Sequence, residues 1–243
     1  MLTDNIEIPL EYFSCTSGDT ELRVNENHIS LYENGQSWMG LNLTTKWQAN
    51  EFVFELSEAN GICITTGLGL GVIQTLLLKN PKVTKVVVYE KNKNVINIFH
   101  QLVSKNKFDI SKLEIIHFNA DDIQNVSCDC MFLDHFEHEP YNEIVDRVKN
   151  ISEQNTCNLL WYWPGVKHFT TFCVSSSLPL NNSSFQIWKN LTGIKNLPNE
   201  LTDLQLNYIT KVRTVYIDLF KGYQKTETEN HRNNLLKLFG SKK

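Results

Sequence analysis

The clearest indication of the fold is the stretch Ile64-Thr65-Thr66-Gly67-Leu68-Gly69-Leu70-Gly71-Val72. An apolar run typical of a buried strand ends in three alternate glycines, and helix-forming residues follow at once. Glycines let the backbone turn sharply and approach a ligand closely, while the first turn of a helix offers free N–H groups and a partial positive charge. The stretch therefore predicts a strand, a tight turn and a helix, with the turn either binding a ligand or serving only as a connection.

Downstream of Gly61, a short apolar run repeatedly gives way to a longer amphipathic stretch, which is typical of βαβ units and a parallel sheet. The predicted strands are Ile62–Thr65, Lys85–Tyr89, Leu113–Phe118, Cys130–Leu133 and Cys157–Tyr162. The predicted helices are Val72–Lys79, Asn94–Asn106, Tyr141–Glu153 and Val166–Ser175. Residues 61–243 are thus predicted to form a doubly wound, Rossmann-like α/β domain with a mostly parallel sheet and helices on both faces.

Residues 1–60 follow a different pattern. Turn signals at Ser17-Gly18-Asp19 and Glu33-Asn34-Gly35 separate short alternating segments, which predicts a small β-hairpin extension. Its predicted strands are Leu22–Val24, His28–Tyr32 and Ser37–Leu41, and a predicted helix at Lys46–Leu56 leads into the main domain. Near the other end, Ser183–Pro198 is predicted to be irregular, Thr210–Phe220 to be a late strand and the tail after Tyr223 to be a surface helix.

Acidic residues follow three of the predicted strands. The run Val86-Val87-Val88-Tyr89 ends in Glu90, at about the distance where dinucleotide folds place the acid that binds the ribose hydroxyls. Asp121 follows the third predicted strand and Asp134 follows the fourth. Because the carboxyl ends of parallel strands meet at one edge of a sheet, these acids are expected to share a site with the glycine turn. The plainer interpretation of Glu90 is a solvated residue that starts the next turn.

The segment from Gly61 to about Asp134 resembles the cofactor half of the class I S-adenosylmethionine-dependent methyltransferases and, within them, the spermidine synthase branch. The resemblance implies that seven residues contact the cofactor: Gly67, Leu68, Gly69, Gly71, Glu90, Asp121 and Asp134. It implies that Glu90 holds the ribose, that Asp121 meets the adenine amino group and that Asp134 faces the reacting end. A nicotinamide cofactor fits less well, because GxGxxG spacing from Gly67 requires a glycine where Val72 stands.

The resemblance to the polyamine synthases extends beyond this core. Asn34-Gly35-Gln36 resembles the segment through which those enzymes present a glutamine to their ligands, which implies that Gln36 also binds the cofactor. The spacing Asp134-x-x-Glu137 resembles their paired acids after the fourth strand. A displacement at a carbon on sulfonium needs an aligned nucleophile and, for an amine, a base, so Asp134, Glu137 and His138 are the candidate catalytic residues.

Two positions depart from the family pattern, and they keep several functions open. Leu70 replaces the acid that the synthases carry inside the glycine loop, and Thr65 stands where many methyltransferases have an acid. The first hypothesis is a methyltransferase-like enzyme acting on a small molecule. The alternatives are an aminopropyltransferase using decarboxylated S-adenosylmethionine, a binding or assembly protein that has lost catalysis, and an enzyme that cleaves the cofactor.

Composition limits the partners. A net charge of −4 and a pI near 6.0 give no support for extended nucleic-acid binding. Because the chain has neither an apolar run of roughly 20 residues nor a cationic amino-terminal signal, we expect a soluble, cytoplasmic protein without membrane contact. The six scattered cysteines are interpreted as buried reduced thiols, and no metal site is expected. Strand edges in the extension make a homodimer plausible.

The aromatic segment Trp161-Tyr162-Trp163 follows or ends the fifth predicted strand, and two interpretations of it stay open. It could wall the pocket of an acceptor molecule, or it could pack in the core, as large aromatic side chains in strands more often do.

Overall fold

A computed structural model describes residues 8–42, 52, 54–136 and 139–211 of the chain. The first sheet is antiparallel and has four strands in sequential order. Its strands are β1 (Cys15–Ser17), β2 (Thr20–Val24), β3 (His28–Glu33) and β4 (Gln36–Asn42). Asn34 and Gly35 both adopt positive φ between β3 and β4, as a two-residue hairpin turn requires. The predicted hairpin strands are therefore confirmed, and β1 is a short strand that the pattern did not reveal.

The second sheet has five parallel strands in the order β7-β6-β5-β8-β9. These strands are β5 (Gly61–Thr66), β6 (Val83–Glu90), β7 (Leu113–His117), β8 (Ser127–Leu133) and β9 (Thr156–Tyr162). The chain moves outward from β5 in one direction and then returns to add β8 on the other side. This order confirms the Rossmann-like prediction, and it creates a crevice at the carboxyl ends of β5 and β8.

The helices connect these strands. They are α1 (Val72–Lys79), α2 (Lys93–Asn106), α3 (Tyr141–Gln154), α4 (Gly165–Ser175) and α5 (Asn182–Thr192), with a short 3-10 helix at Ala120–Asp122. The first four agree with the predicted helices to within one residue at each end. Apolar residues of the strands and helices join in one core, which includes Val86, Val88, Met131 and Leu160 at the centre of the sheet.

Two predictions about the last third of the chain require correction. Ser183–Pro198 is not irregular, because α5 occupies most of it. The Asn181 side chain caps this helix by accepting from the Ser184 N–H, and the helix buries Phe185 and Trp188 completely. The predicted strand at Thr210–Phe220 begins inside a helix that covers 203–211, and its remainder lies outside the described residues, as does the predicted tail helix. Of the predicted helix at Lys46–Leu56, residues 52 and 54–56 are described and helical.

The antiparallel sheet lies against α2 through a row of side-chain amides, which we call the amide ladder: Asn92, Asn94, Asn97, Gln101 and Asn106. Each amide donates a hydrogen bond to an acceptor between Glu11 and Glu33, either in the antiparallel sheet or just before it. Asn94 donates to the Asp19 carboxylate at 2.9 Å, and Asn92 donates to the Glu33 carboxylate at 2.8 Å. These contacts, together with buried Leu22 and Leu31, hold β4 over the carboxyl edge of the parallel sheet.

Candidate cofactor and active site

A cavity of about 210 Å³ lies between β4 and the carboxyl edge of the parallel sheet. Five of the residues predicted to bind the cofactor line this one cavity: Gly67, Gly69, Glu90, Asp121 and Asp134. They come from four different strand ends or turns, so only the tertiary fold brings them together. The topological switch between β5 and β8 is where open α/β sheets bind their ligands. The cavity is therefore the candidate functional site.

The glycine turn presents its backbone to this cavity. Gly67 and Gly69 have φ angles of 75° and 47°, which side chains other than hydrogen rarely adopt. The Gly67 N–H donates to the Tyr89 carbonyl at 2.9 Å, and the Leu68 N–H donates to Glu90 at 2.8 Å. Within the described residues, the N–H groups of Gly69 and Leu70 have no acceptor. Two unpaired donors at the amino terminus of α1 fit a polar ligand group.

The space around the glycines shows which of them could contact a ligand. A Cβ on Gly67 would lie 2.0 Å from the Asp134 carbonyl oxygen, and one on Gly71 would lie 2.4 Å from the Phe99 ring. These two glycines are required by the packing of the protein itself. A Cβ on Gly69 would instead meet the Met39 sulfur at 2.5 Å. Because the end of a methionine side chain is flexible, Gly69 is the glycine of the three whose surroundings can yield to another group.

Glu90 is buried, with 5% of its surface exposed, and its carboxylate faces the turn. One oxygen accepts from the Leu68 N–H at 2.8 Å, and the other accepts from the Asn92 N–H at 2.7 Å. Each carboxylate oxygen can accept two hydrogen bonds, so each retains one position for a hydroxyl group. This geometry excludes the interpretation of Glu90 as a solvated turn residue. It fits a carboxylate that binds both hydroxyls of a ribose.

Two side chains, those of Arg147 and His135, contact the carboxylate of Asp121. Arg147 donates to both of its carboxylate oxygens, through Nε at 2.9 Å and through Nη2 at 2.7 Å. The His135 imidazole lies 3.2 Å from Oδ1 through its Nε2 atom. The hydrogen bond from His135, and then those from Arg147, hold the pKa of Asp121 far below its ordinary value. At neutral pH Asp121 is therefore an ionised acceptor in the wall of the cavity.

Thr66 is the last residue of β5, and its side chain contacts the loop that follows β8. Its hydroxyl oxygen lies 2.6 Å from Nδ1 of His135 and accepts the Asp134 N–H at 3.0 Å. The Asp134 N–H also points at the Thr66 carbonyl, at 3.1 Å. The backbone at Asp134 is thus fixed to β5, and Asp134 lines the cavity.

The other predicted site residues have different positions. Gln36 is exposed at the start of β4 and is not among the residues that line the cavity, whereas Trp38 and Met39 of the same strand are. Leu68 is buried and acts through its N–H group, and Gly71 lies behind the turn. The candidate catalytic residues Glu137 and His138 lie outside the described residues.

Two residues that line the cavity were not identified from the sequence as site residues: Met39 and Arg147. Arg147 lies in the middle of α3 and follows no recognisable motif. The aromatic segment at the end of β9 has two environments. Trp161 and Tyr162 are buried in the core, whereas Trp163, the next residue, lines the cavity.

The thiols and the acids of the described ranges form no metal centre. Five of the six cysteines are buried, all six are free, and no group of three or more His, Cys, Asp or Glu side chains among the described residues is placed to hold a metal ion. Cys128 and Cys130 pair in register with Cys157 and Cys63 across neighbouring strands. In the same part of the chain, the helices are too short or too polar to span a bilayer.

No protein-family model matches the sequence, and no curated protein matches it as a relative. Solved structures resemble part of the chain. A spermidine synthase from Thermotoga maritima is 14% identical with a TM-score of 0.43, and the match covers 59% of this chain and 53% of that one. The proposed methyltransferase yhhF from Escherichia coli is 14% identical with a TM-score of 0.39, over 50% of this chain and 71% of that one.

A third structure is TYW2 from M. jannaschii, solved in complex with AdoMet, which is 16% identical with a TM-score of 0.33 over 54% of this chain and 61% of that one. The chain spans about half the length of the spermidine synthase that it matches. The strand order shows that the chain has a doubly wound, Rossmann-like α/β fold.

Proposed function

We propose that this chain is a methyltransferase-like enzyme that binds S-adenosylmethionine and acts on a small molecule. The observation that supports the proposal best is the convergence of three groups on one cavity. The same space is lined by Gly69 and Leu70, whose amides have no acceptor among the described residues, by the buried Glu90 and by Asp134 at the end of β8. A polar ligand with a vicinal diol, such as an adenosyl group, satisfies the first two.

The charge of the cavity favours a cationic ligand. Its lining includes four carboxylates, from Glu33, Glu90, Asp121 and Asp134, and two cations, from Lys91 and Arg147, which leaves a formal charge of −2. Arg147 is already held between Asp121 and Glu139. A site with excess negative charge attracts a sulfonium ion and disfavours a nucleotide phosphate.

The shape of the cavity favours a small acceptor. Strand β4 covers the glycine turn, and Trp38, Phe136 and Trp163 contribute aromatic walls. An enclosed space with apolar walls excludes water and holds a compact molecule, whereas a flat surface suits a macromolecule. This supports a small-molecule acceptor rather than a nucleic acid.

The mechanism follows from these placements. The bound cofactor would supply an electrophilic carbon attached to sulfonium. The amides of Gly69 and Leu70 and the carboxylate of Glu90 would hold the adenosyl end and so fix the position of the reacting carbon. The Asp134 carboxylate would orient the acceptor and hold the proton that an amine or hydroxyl group loses on attack. The aromatic walls would exclude water from the reacting groups.

A second candidate is aminopropyl transfer from decarboxylated S-adenosylmethionine. The formal charge of −2 supports it, because this donor carries one more net positive charge than S-adenosylmethionine. Leu70 opposes it, since its apolar side chain is only 1% exposed at the position where the resemblance implies an acid. A catalytically inactive binding protein and a cofactor-cleaving enzyme remain the further alternatives.

Isothermal calorimetry with each donor, followed by mass analysis of the products, separates these functions. Methyl transfer predicts binding of S-adenosylmethionine and formation of S-adenosylhomocysteine with an added small acceptor. Aminopropyl transfer predicts that only the decarboxylated donor is consumed, in the presence of putrescine. Turnover without any acceptor would indicate cleavage. If neither donor nor S-adenosylhomocysteine produces heat or a thermal shift, the proposed cofactor class is wrong.

A further inference from the structure

The cavity has two ends that differ in polarity. At the end beside β6, Glu33 and Glu90 are joined through Asn92, whose side chain donates to Glu33 at 2.8 Å and whose N–H donates to Glu90 at 2.7 Å. Five other lining residues have no charged side chain, and we call them the apolar end: Leu41, Phe52, Leu70, Val72 and Trp163.

Phe52 and Trp163 line the cavity on the side of β9. Trp163 directly follows β9, and Phe54, two residues after Phe52, packs edge-on against Trp161 of β9 with ring centroids 5.4 Å apart. In the sheet, β5 and β8 lie between β9 and β6. The acids at Glu33 and Glu90 are therefore separated from these two aromatic rings by the width of two strands.

The glycine turn and β4 complete the apolar end. Met39 lies next to Gly69, and Leu41, two residues further along β4, lies on the same face of the strand. Leu70 and Val72 flank the last glycine of the turn, and each is at most 3% exposed. These hydrocarbon side chains cannot replace the water around an ionic group.

Asp134 is the carboxylate nearest to this end in the order of the strands. Leu133 and Tyr162 pair in register at the ends of β8 and β9, so Asp134 and Trp163 are the next residues of the two chains. The Trp163 N–H donates to the Leu133 carbonyl at 2.9 Å, which holds the two ends together. A ligand group that contacts Asp134 therefore has an indole ring as its neighbour.

This arrangement accommodates one polar group and an apolar body. An ammonium or hydroxyl group of the ligand can bind the Asp134 carboxylate, while the rest of the molecule contacts hydrocarbon and aromatic side chains. A second ammonium group, several bonds away, would lose its water opposite Leu70 and Val72 without gaining a hydrogen bond. Burial of an unpaired charge is far more costly than burial of a methyl group is favourable.

We propose that the acceptor is a small amphipathic molecule with one nucleophilic amine or hydroxyl group and an apolar body, and that Leu70 and Val72 determine this selectivity. The inference rests on the proposed function, since it requires an acceptor beside Asp134. It deepens that function by assigning a substrate class from which diamines are excluded.

The test compares n-pentylamine with 1,4-diaminobutane, which have the same number of non-hydrogen atoms and differ by a terminal methyl group in place of an ammonium group. Calorimetry first establishes that S-adenosylhomocysteine binds. Each amine is then titrated into the full chain saturated with S-adenosylhomocysteine, and ligand-observed NMR gives its dissociation constant. We expect n-pentylamine to bind at least roughly tenfold more tightly.

Two variants test the residues that determine this preference. Leu70→Asp supplies a partner for the far ammonium group and should reverse the preference. Val72→Thr keeps the shape of the side chain but adds a hydroxyl group, so the ratio should fall to about threefold or less. Val174→Thr is the matched control, because Val174 is exposed on α4 and does not line the cavity, and it should leave the ratio unchanged. If Leu70→Asp fails to fold, Val72→Thr decides the test.

The possible failures are distinct. Binding of S-adenosylhomocysteine together with equal or tighter binding of 1,4-diaminobutane, or with binding of neither amine, overturns the inference and leaves the cofactor class intact. Equal ratios in Val72→Thr and Val174→Thr overturn the role of the apolar end. Failure of the unmodified chain to bind S-adenosylhomocysteine overturns the proposed function itself.

Discussion

Arg147 and Asp121 form a bidentate ion pair in the wall of the cavity, with N–O distances of 2.9 and 2.7 Å. Asp121 follows β7, while Arg147 belongs to α3, so the pair ties together two segments that otherwise border the site separately. Arg147 also donates to Glu139 and lies 5.0 Å above the Phe136 ring. A single guanidinium therefore holds two carboxylates and an aromatic wall in place.

Replacement of Arg147 by Lys should weaken the fold, because an ammonium group cannot make the two parallel hydrogen bonds to Asp121. We expect a loss of about 1–2 kcal/mol in the free energy of unfolding, at the lower end of charged hydrogen bonds since both side chains are partly exposed. Urea unfolding followed by tryptophan fluorescence measures it. Arg23→Lys is the control, because the Arg23–Glu21 pair lies on the surface, and it should leave the midpoint unchanged. Equal midpoints for Arg147→Lys and the unmodified chain would contradict the prediction.

The pH dependence of stability should reveal the ionised state of Asp121. The hydrogen bonds from His135 and Arg147 lower its pKa, so the folded state holds the carboxylate more strongly than the unfolded chain, where its pKa is about 3.9. The resulting stabilisation is fully present above that pH and is lost only as the pH falls towards the folded value. Asp121→Asn should therefore be less stable than the parent by a constant amount from about pH 8 to pH 5.

Below about pH 4 the two curves should begin to converge, because the unfolded chain takes up a proton at Asp121 there while the folded carboxylate stays ionised. Chemical unfolding at a series of pH values gives both curves. If the difference in the free energy of unfolding between the two proteins widens as the pH falls, the prediction is wrong. Such a result would show that the folded state does not stabilise Asp121 as an anion.

Gly69 and Met39 should be energetically coupled. Gly69→Ala places a methyl group 2.5 Å from the Met39 sulfur and also forces alanine into positive φ, so it should cost about 2–4 kcal/mol. In a Met39→Ala background only the backbone strain remains, about 1–2 kcal/mol. Gly35→Ala is the control for that strain, because Gly35 has φ of +77° and no atom within 4 Å of its would-be Cβ. A double-mutant cycle in urea measures the coupling. Strictly additive costs would show that Met39 does not pack on Gly69.

Glu90→Gln should damage both stability and ligand binding. The amide group of glutamine would turn a donor towards the N–H of either Leu68 or Asn92, which leaves a buried donor unsatisfied at a cost of about 1–3 kcal/mol. Affinity for S-adenosylhomocysteine should fall roughly tenfold or more, since one ribose hydroxyl loses its acceptor. Thermal unfolding and calorimetry measure the two effects. Glu114→Gln on the exposed face of β7 is the control, and comparable losses there would contradict a special role for Glu90.

The sequence predicted the parts of the fold that are encoded locally. The run from Val86 to Tyr89 and the alternate glycines after Thr66 each combine a buried strand with a distinct ending, so their structure depends little on distant residues. The order of strands then places Glu90, Asp121 and Asp134 at one edge. By contrast, α5 was missed because its many polar residues obscure the pair Phe185 and Trp188, whose burial depends on packing against β9 and α4.

The remaining features of the site arise from contacts between distant parts of the chain. Thr66 and His135 are 69 residues apart, and Asp121 and Arg147 are 26 residues apart. No spacing rule connects such pairs, and a histidine or arginine in these positions has no distinctive neighbours. Met39 enters the site because the amide ladder positions β4, which is a property of the folded protein. These residues could be recognised only once the two sheets were placed together.

The amide ladder joins two segments of the chain that contribute different sides of the cavity. Residues 8–42 provide the roof above the turn, while most of the base and walls come from residues 61–136 and, later in the chain, from Arg147 and Trp163. Substitutions in the roof can thus reshape the space above the turn without altering the strands beneath it. Such an arrangement lets the roof diverge between descendants while the base is retained.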